Sequence, residues 1–221
     1  MKLIEYPDAE MMMIDLANVL AGELEQCLLS HDRASFAVPG GTTPGPIFDV
    51  LCGAKHIDWA RVDVMLTDER RVPEDHERSN TRLIRERLLV DAAAAAHYVN
   101  YIPEDDAGLA TKADALRPHL PVSVMLLGMG ADMHTASIFP NSPDLDHALT
   151  TDQPLAFVQP PDGLEPRVTL SANVLKGAMS RHIVIKGADK RAALEAAQKV
   201  SPQEAPIAAV LAGSTVHWAE G

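Results

Sequence analysis

The chain has 221 residues, with 19 Lys plus Arg against 31 Asp plus Glu, and its formal net charge of −12 repels nucleic acid and anionic membranes. Hydrophobic residues make up 47% and aromatics only 4%, so the core is aliphatic, and the length suffices for one large α/β domain. No apolar run approaches the roughly 18 residues of a membrane span, and the N-terminus lacks a basic segment followed by an uninterrupted apolar one, so a soluble, cytoplasmic protein is expected.

In chain order, Ala9 to Leu29 carries apolar residues at helical spacing, and Ser35 to Val38 reads as a short buried strand. The loop Pro39-Gly40-Gly41-Thr42-Thr43-Pro44 follows, with Thr42 or Thr43 suited to cap a helix over Pro46 to Cys52. Val62 to Leu66 is a second strand and Asn80 to Leu89 a helix. Ala92 to Ala96 reads as a brief helical run. Tyr98 to Ile102 is strand-like, Gly108 to Leu120 helical, and Pro121 to Leu127 a buried strand.

Turn formers assign 141–154 and 159–166 to surface loops. Arg181 to Lys186 is a strand, Ala188 to Val200 a helix, and Ile207 to Leu211 and Thr215 to Trp218 short closing strands. This alternation predicts an α/β fold, a mainly parallel sheet flanked by helices on both faces, in a single domain over 1–221. Cys27 and Cys52 show neither CxxC nor zinc-like spacing and read as reduced apolar residues.

Four constellations carry chemistry. Gly128-Met129-Gly130-Ala131-Asp132-Met133-His134 follows the buried strand directly, where ligands dock in open α/β sheets. His134 there is either a general base with Asp132 beside it or a structural imidazole, and no spacing supports a metal site. Ser137 reads as a helix-start residue rather than a nucleophile, since no G-x-S-x-G elbow is present.

Gly40-Gly41-Thr42-Thr43 offers backbone N–H groups and hydroxyls to a phosphate, although a plain turn with a helix cap explains it equally well. Asp68, Glu69 and Arg70 follow a strand and are expected to face the crevice, while the charges from there to Arg87 read as a salt-bridged, solvated surface. Arg167 and Lys190 supply a planar fork and a point charge suited to a phosphate dianion.

Taken together, Gly40 to Pro44, Thr67-Asp68-Glu69-Arg70 with Val72-Pro73 and Ser79-Asn80, Leu127 to Gly130, His134-Thr135-Ala136-Ser137-Ile138-Phe139-Pro140, Arg167 to Leu170 and Gly187-x-x-Lys190 resemble the glucosamine-6-phosphate isomerase/6-phosphogluconolactonase family, on its 6-phosphogluconolactonase side. The resemblance implies a fold like glucosamine-6-phosphate deaminase, ribose-5-phosphate isomerase and the CoA transferases. It also implies cofactor-free hydrolysis of 6-phospho-D-glucono-1,5-lactone to 6-phosphogluconate in the oxidative pentose phosphate pathway, by a monomer or small homo-oligomer whose partner is its sugar-phosphate substrate.

By motif match, His134 activates water, Asp132 orients it, and Asp68 and Arg70 line the sugar end. Arg167 and Lys190 then hold the phosphate with Gly40, Gly41, Thr42 and Thr43. Two positions depart from the family pattern: Pro39 stands where Ser is common, removing a hydroxyl and an N–H donor, and Met133 stands where Gly is common, restricting φ. The alternatives are an amino-sugar phosphate isomerase or deaminase, against which Thr135-Ala136-Ser137 and the lack of a glutamate soon after Phe139 speak, and a non-catalytic sugar-phosphate sensor.

Overall fold

The computed structural model describes residues 1–103 and 106–221. In chain order the strands are β1 Lys2–Tyr6, β2 Ala34–Val38, β3 Val62–Leu66, β4 Asp68–Arg70, β5 His97–Tyr98, β6 Val124–Gly128, β7 Leu155–Val158, β8 Arg167–Leu170, β9 Ser180–Lys186 and β10 Thr215–Ala219. The helices are α1 Ala9–Ser30, α2 Gly45–Leu51, α3 Asn80–Arg87, α4 Leu109–Leu116, α5 Leu145–Thr150, α6 Ala172–Gly177, α7 Ala188–Ala197 and α8 Ala208–Leu211.

Seven strands form a parallel sheet in the order β1-β10-β9-β6-β2-β3-β5. Successive side chains of a strand point to opposite faces, and every residue of β2 and β3 is buried, so both faces of the sheet are covered there. From β2 the chain builds outward through β3 to β5, then returns to place β6 on the other side of β2. That reversal leaves a crevice at the carboxyl ends of β2 and β6, the topological position where open α/β sheets bind ligands. A separate antiparallel sheet, β4-β8-β7, starts one residue after β3.

Helix α1 buries Met12, Met13, Leu16, Ala17, Leu20, Ala21, Leu24 and Leu28, the i, i+3, i+4 stripe of an amphipathic helix, and packs on α2, β2 and β10. Asp8 caps it by accepting from the Met11 N–H at 2.8 Å. No described helix is long and apolar enough to cross a membrane. Cys27 and Cys52 are both free.

Several elements differ from the sequence expectation. No helix starts after β6, because Met133, Ala136 and Asn141 all take positive φ; the next helix is α5, which lies inside the expected 141–154 loop. Neither Thr42 nor Thr43 caps α2, whose cap position is Pro44 with no side-chain hydrogen bond. The apolar run at 207–211 is helical (α8) rather than a strand, since a short apolar stretch carries no period of its own. β5 is shorter than the expected Tyr98 to Ile102, and α4 gives way at Arg117–His119 to a 3-10 turn containing Pro118. Strand β6 begins at Val124 rather than Pro121, and β1, β7 and α6 were not expected.

Two buried polar clusters staple the sheet away from the crevice. Asp63 on β3 is gripped by both Arg33 Nε and Nη2, at 2.9 and 2.5 Å, and by His97 and His119. Burial alone would raise its pKa, but hydrogen bonds from Arg33, His97 and His119 outweigh that and hold it at about 2. Under α1, Asp15, Tyr6, His217, His182 and Glu23 form a continuous hydrogen-bonded run. Burial and the neighbouring His182 push His217 down from 6.5 to about 4.

Between those values an unfolded chain takes up a proton at residue 217 that the folded chain refuses, so acid favours unfolding. The stabilisation from neutral His217 is complete above pH 6.5 and declines by up to roughly 3 kcal/mol as pH falls towards 4, above the range where Asp63 titrates. Thermal unfolding followed by circular dichroism is expected to show the midpoint falling between pH 7 and 4.5, with a flatter profile in His217→Gln. A wild-type midpoint constant over that range contradicts this assignment.

Candidate active site

The crevice at the β2/β6 switch point has a volume of about 430 Å³ and is walled by the Pro39–Pro44 loop, β4, the segment from Gly128 to Phe139, the loop before β8, and Lys190 on the first turn of α7. It brings together nearly all the residues that the sequence singled out.

His134 Nδ1 stands 2.5 Å from Asp132 Oδ1, which assigns the Nδ1 proton to that bond and leaves Nε2 as the free nitrogen. Burial would raise the Asp132 pKa, but the hydrogen bond and charge of His134 outweigh it and hold the carboxyl below its ordinary value. The turn closes on itself: the Gly130 N–H donates to the His134 carbonyl and the Met133 N–H to the Gly130 carbonyl, both at 3.0 Å. A Cβ on Gly130 would overlap the imidazole and the Asp132 carboxylate, so only glycine fits. Met133 does not avoid the conformation glycine would favour; it adopts φ +67 at a cost of about 1 kcal/mol, and its carbonyl is tied down by the Ile207 N–H at 3.0 Å.

Strand alternation sorts the residues of β4. Asp68 and Arg70 face the crevice. Glu69, expected there too, points the other way, and its carboxylate accepts from the N–H groups of Arg70, Asn80 and Thr81 and from Ser79 Oγ, at 2.7 to 3.1 Å. Glu69 thus fixes the start of α3, where Ser79 is the N-cap, and so places Asn80, whose amide donates to the Asp68 carbonyl at 2.8 Å. Ser137 starts no helix; its hydroxyl donates to Asp68 Oδ2 at 2.6 Å, joining the β6 segment to β4.

Arg70 and Arg167 are directly opposed across the antiparallel β4–β8 pair. Like charges in that arrangement are destabilising, so they mark a place built to receive an anion. Arg167 is only 6% exposed, and its pKa is lowered by burial and by the charge of Arg70. Lys190 adds a further cation with no hydrogen-bond partner among the described residues. Positive charge is therefore concentrated here in a chain of net charge −12. Phe139 joins the two ends of the crevice: its ring centroid is 4.6 Å from that of His134 and 5.7 Å from Arg167 Cζ. Imidazole and guanidinium thus flank the same aromatic ring.

The Gly40–Thr43 loop forms the wall above α2. Gly41 takes φ +88, and a Cβ on Gly40 would overlap the Asn80 amide. Arg78, Asn80 and Phe139 also line the crevice, though sequence reasoning gave them no role there. Phe139 and Asn80 lie in motifs the resemblance quoted, whereas Arg78 is hidden in a run of paired charges.

A model of the family described as glucosamine-6-phosphate isomerases/6-phosphogluconolactonase matches residues 7–218. The chain belongs to this family. Within it, a 6-phosphogluconolactonase of Pseudomonas aeruginosa is 37% identical over 212 residues, covering 92% of this chain and 88% of that protein. One of Mesorhizobium japonicum is 37% identical over 224 residues, covering 97% and 93%. The crystal structure of a 6-phosphogluconolactonase from Shewanella baltica matches with a TM-score of 0.94 at 32% identity, covering 99% of this chain and 97% of that one.

Removing the Glu69 carboxylate leaves three backbone donors, two of them buried, without their acceptor. Glu69→Ala is expected to lower unfolding free energy by roughly 3 kcal/mol in urea titrations. A loss under about 1 kcal/mol would mean that the start of α3 is held by other contacts.

Proposed function

We propose that the chain hydrolyses 6-phospho-D-glucono-1,5-lactone to 6-phosphogluconate, a step of the oxidative pentose phosphate pathway. The observation that carries this reading is the Asp132–His134 pair sharing one crevice, and one Phe139 ring, with the buried Arg167. The high-coverage relatives named 6-phosphogluconolactonase support the same substrate.

In this mechanism neutral His134 takes a proton from water through Nε2 while Asp132 accepts its Nδ1–H and fixes the ring. The resulting hydroxide adds to C1 of the lactone. Backbone N–H groups beside His134 support the oxyanion that develops on the carbonyl oxygen, and Asp68, held by Ser137, and Arg70 line the sugar between the two ends. Collapse breaks the bond between C1 and the ring oxygen, which takes the proton back from His134, and the sugar acid is released. At the other end Arg167, Lys190, Gly40, Gly41, Thr42 and Thr43 hold the phosphate, so remote binding sets the carbonyl beside the water. All these groups belong to a single domain, and neither a cofactor nor a metal enters the scheme.

Lactone hydrolysis measured above the spontaneous background is the test. Wild type is expected to accelerate the 6-phosphorylated lactone strongly and the unphosphorylated one weakly, with His134→Ala lowering kcat by about 10² to 10⁴. A folded His134→Ala protein with wild-type turnover would show that the base is another group. Release of ammonia from glucosamine 6-phosphate, or phosphosugar binding with no acceleration, would replace the lactonase reading altogether.

A further inference from the structure

Arg78 lies between β4 and α3, and arginines that follow it on α3 are spent on carboxylates: Arg82 on Glu86, Arg85 on Glu74 and Arg87 on Asp49 of α2. Arg78 is directed elsewhere. Its Nε donates at 2.8 Å to Oε1 of Glu165, in the loop before β8, and the same oxygen lies 3.8 Å from Arg167 Nη2. Two guanidiniums therefore converge on one carboxylate oxygen at the crevice wall. Arg70 joins them, its Nη1 donating to the Arg78 carbonyl at 2.5 Å.

Arg70, Arg78, Arg167 and Lys190 stand here against Asp68, Asp162 and Glu165, so the crevice keeps a net positive charge. Nη1 and Nη2 of Arg78 make no hydrogen bond to any described residue, so the guanidinium keeps donors to offer. Pro39, at the start of the glycine loop, has neither an N–H nor a hydroxyl to give, so the loop's own donor set is short by that position. A phosphate dianion, with three acceptor oxygens, matches both the unspent donors and the excess charge.

Resting on the lactonase reading, we propose that Arg78 is a substrate-binding residue, a second guanidinium that grips the phosphate beside Arg167, and that Glu165 is the positioning residue that aims it. A pair that only tied two surface loops together would be worth little and would not distinguish substrates.

The experiment compares wild type, Arg78→Ala and Arg78→Lys on the 6-phosphorylated and unphosphorylated lactones, and measures inorganic phosphate binding to each by calorimetry. Arg78→Ala is expected to lower kcat/KM for the phosphorylated lactone about tenfold and phosphate affinity by a similar factor, with the unphosphorylated lactone changed less than twofold. Arg78→Lys is expected to recover part of the loss, because it keeps the charge without the fork. Equal losses on both lactones would reduce Arg78 to a structural tie, and no loss of phosphate affinity would remove it from the site. A wild type that fails to accelerate either lactone while Arg78→Ala still loses phosphate affinity would refute the lactonase reading and keep the Arg78 site.

Discussion

The hydrogen bond between Asp132 and His134 is the constraint around which the rest of the site is arranged. A carboxylate and an imidazole two residues apart meet only if the backbone between them turns back sharply, and the surrounding oddities follow from that turn. Gly130 has no room for a side chain, Met133 sits in the left-handed region, and the Ile207 backbone reaches over from just before α8 to fasten the Met133 carbonyl. Local strain of this kind persists where neighbouring structure over-determines it, and three backbone hydrogen bonds do so here.

The small antiparallel sheet contributes the charge. Without the β4–β8 pairing, Arg70 and Arg167 would be distant in sequence and free to repel; with it they are fixed face to face at the crevice. Burial of Arg167 adds to the cost of that arrangement, and the carboxylates at its edges, Asp68 and Glu165, offset it, although Glu165 is shared with Arg78. The large sheet positions the acid–base pair, the small one positions the anion-binding groups, and Ser137 joins them through its hydroxyl to Asp68 and its N–H to Thr169.

Strands β2, β3 and β6 were legible because parallel strands covered on both faces are predominantly apolar, whereas β1, with two exposed residues, carries no such signal. Their parallel alignment was legible from alternation with helices. The crevice was legible because the glycine loop and the Gly128–His134 segment each follow such a run. The backbone after β6 was not, since nothing in Thr135-Ala136-Ser137 announces positive φ at Ala136. Glu69 was misplaced because its neighbours Asp68 and Arg70 do face the crevice, and a three-residue strand is too short to reveal its alternation in advance. Arg78 was invisible for a different reason: its partner Glu165 is 87 positions away and only the folded loops bring them together.

A crystal structure with 6-phosphogluconate bound reads both ends of the crevice at once, because the product carries both the phosphate and the carboxylate derived from the lactone carbonyl. The phosphate is expected within hydrogen-bonding distance of Arg167 and Lys190, and the C1 carboxylate beside His134 Nε2. A product lying in the reverse orientation, or with its C1 carboxylate out of reach of the imidazole, would contradict it.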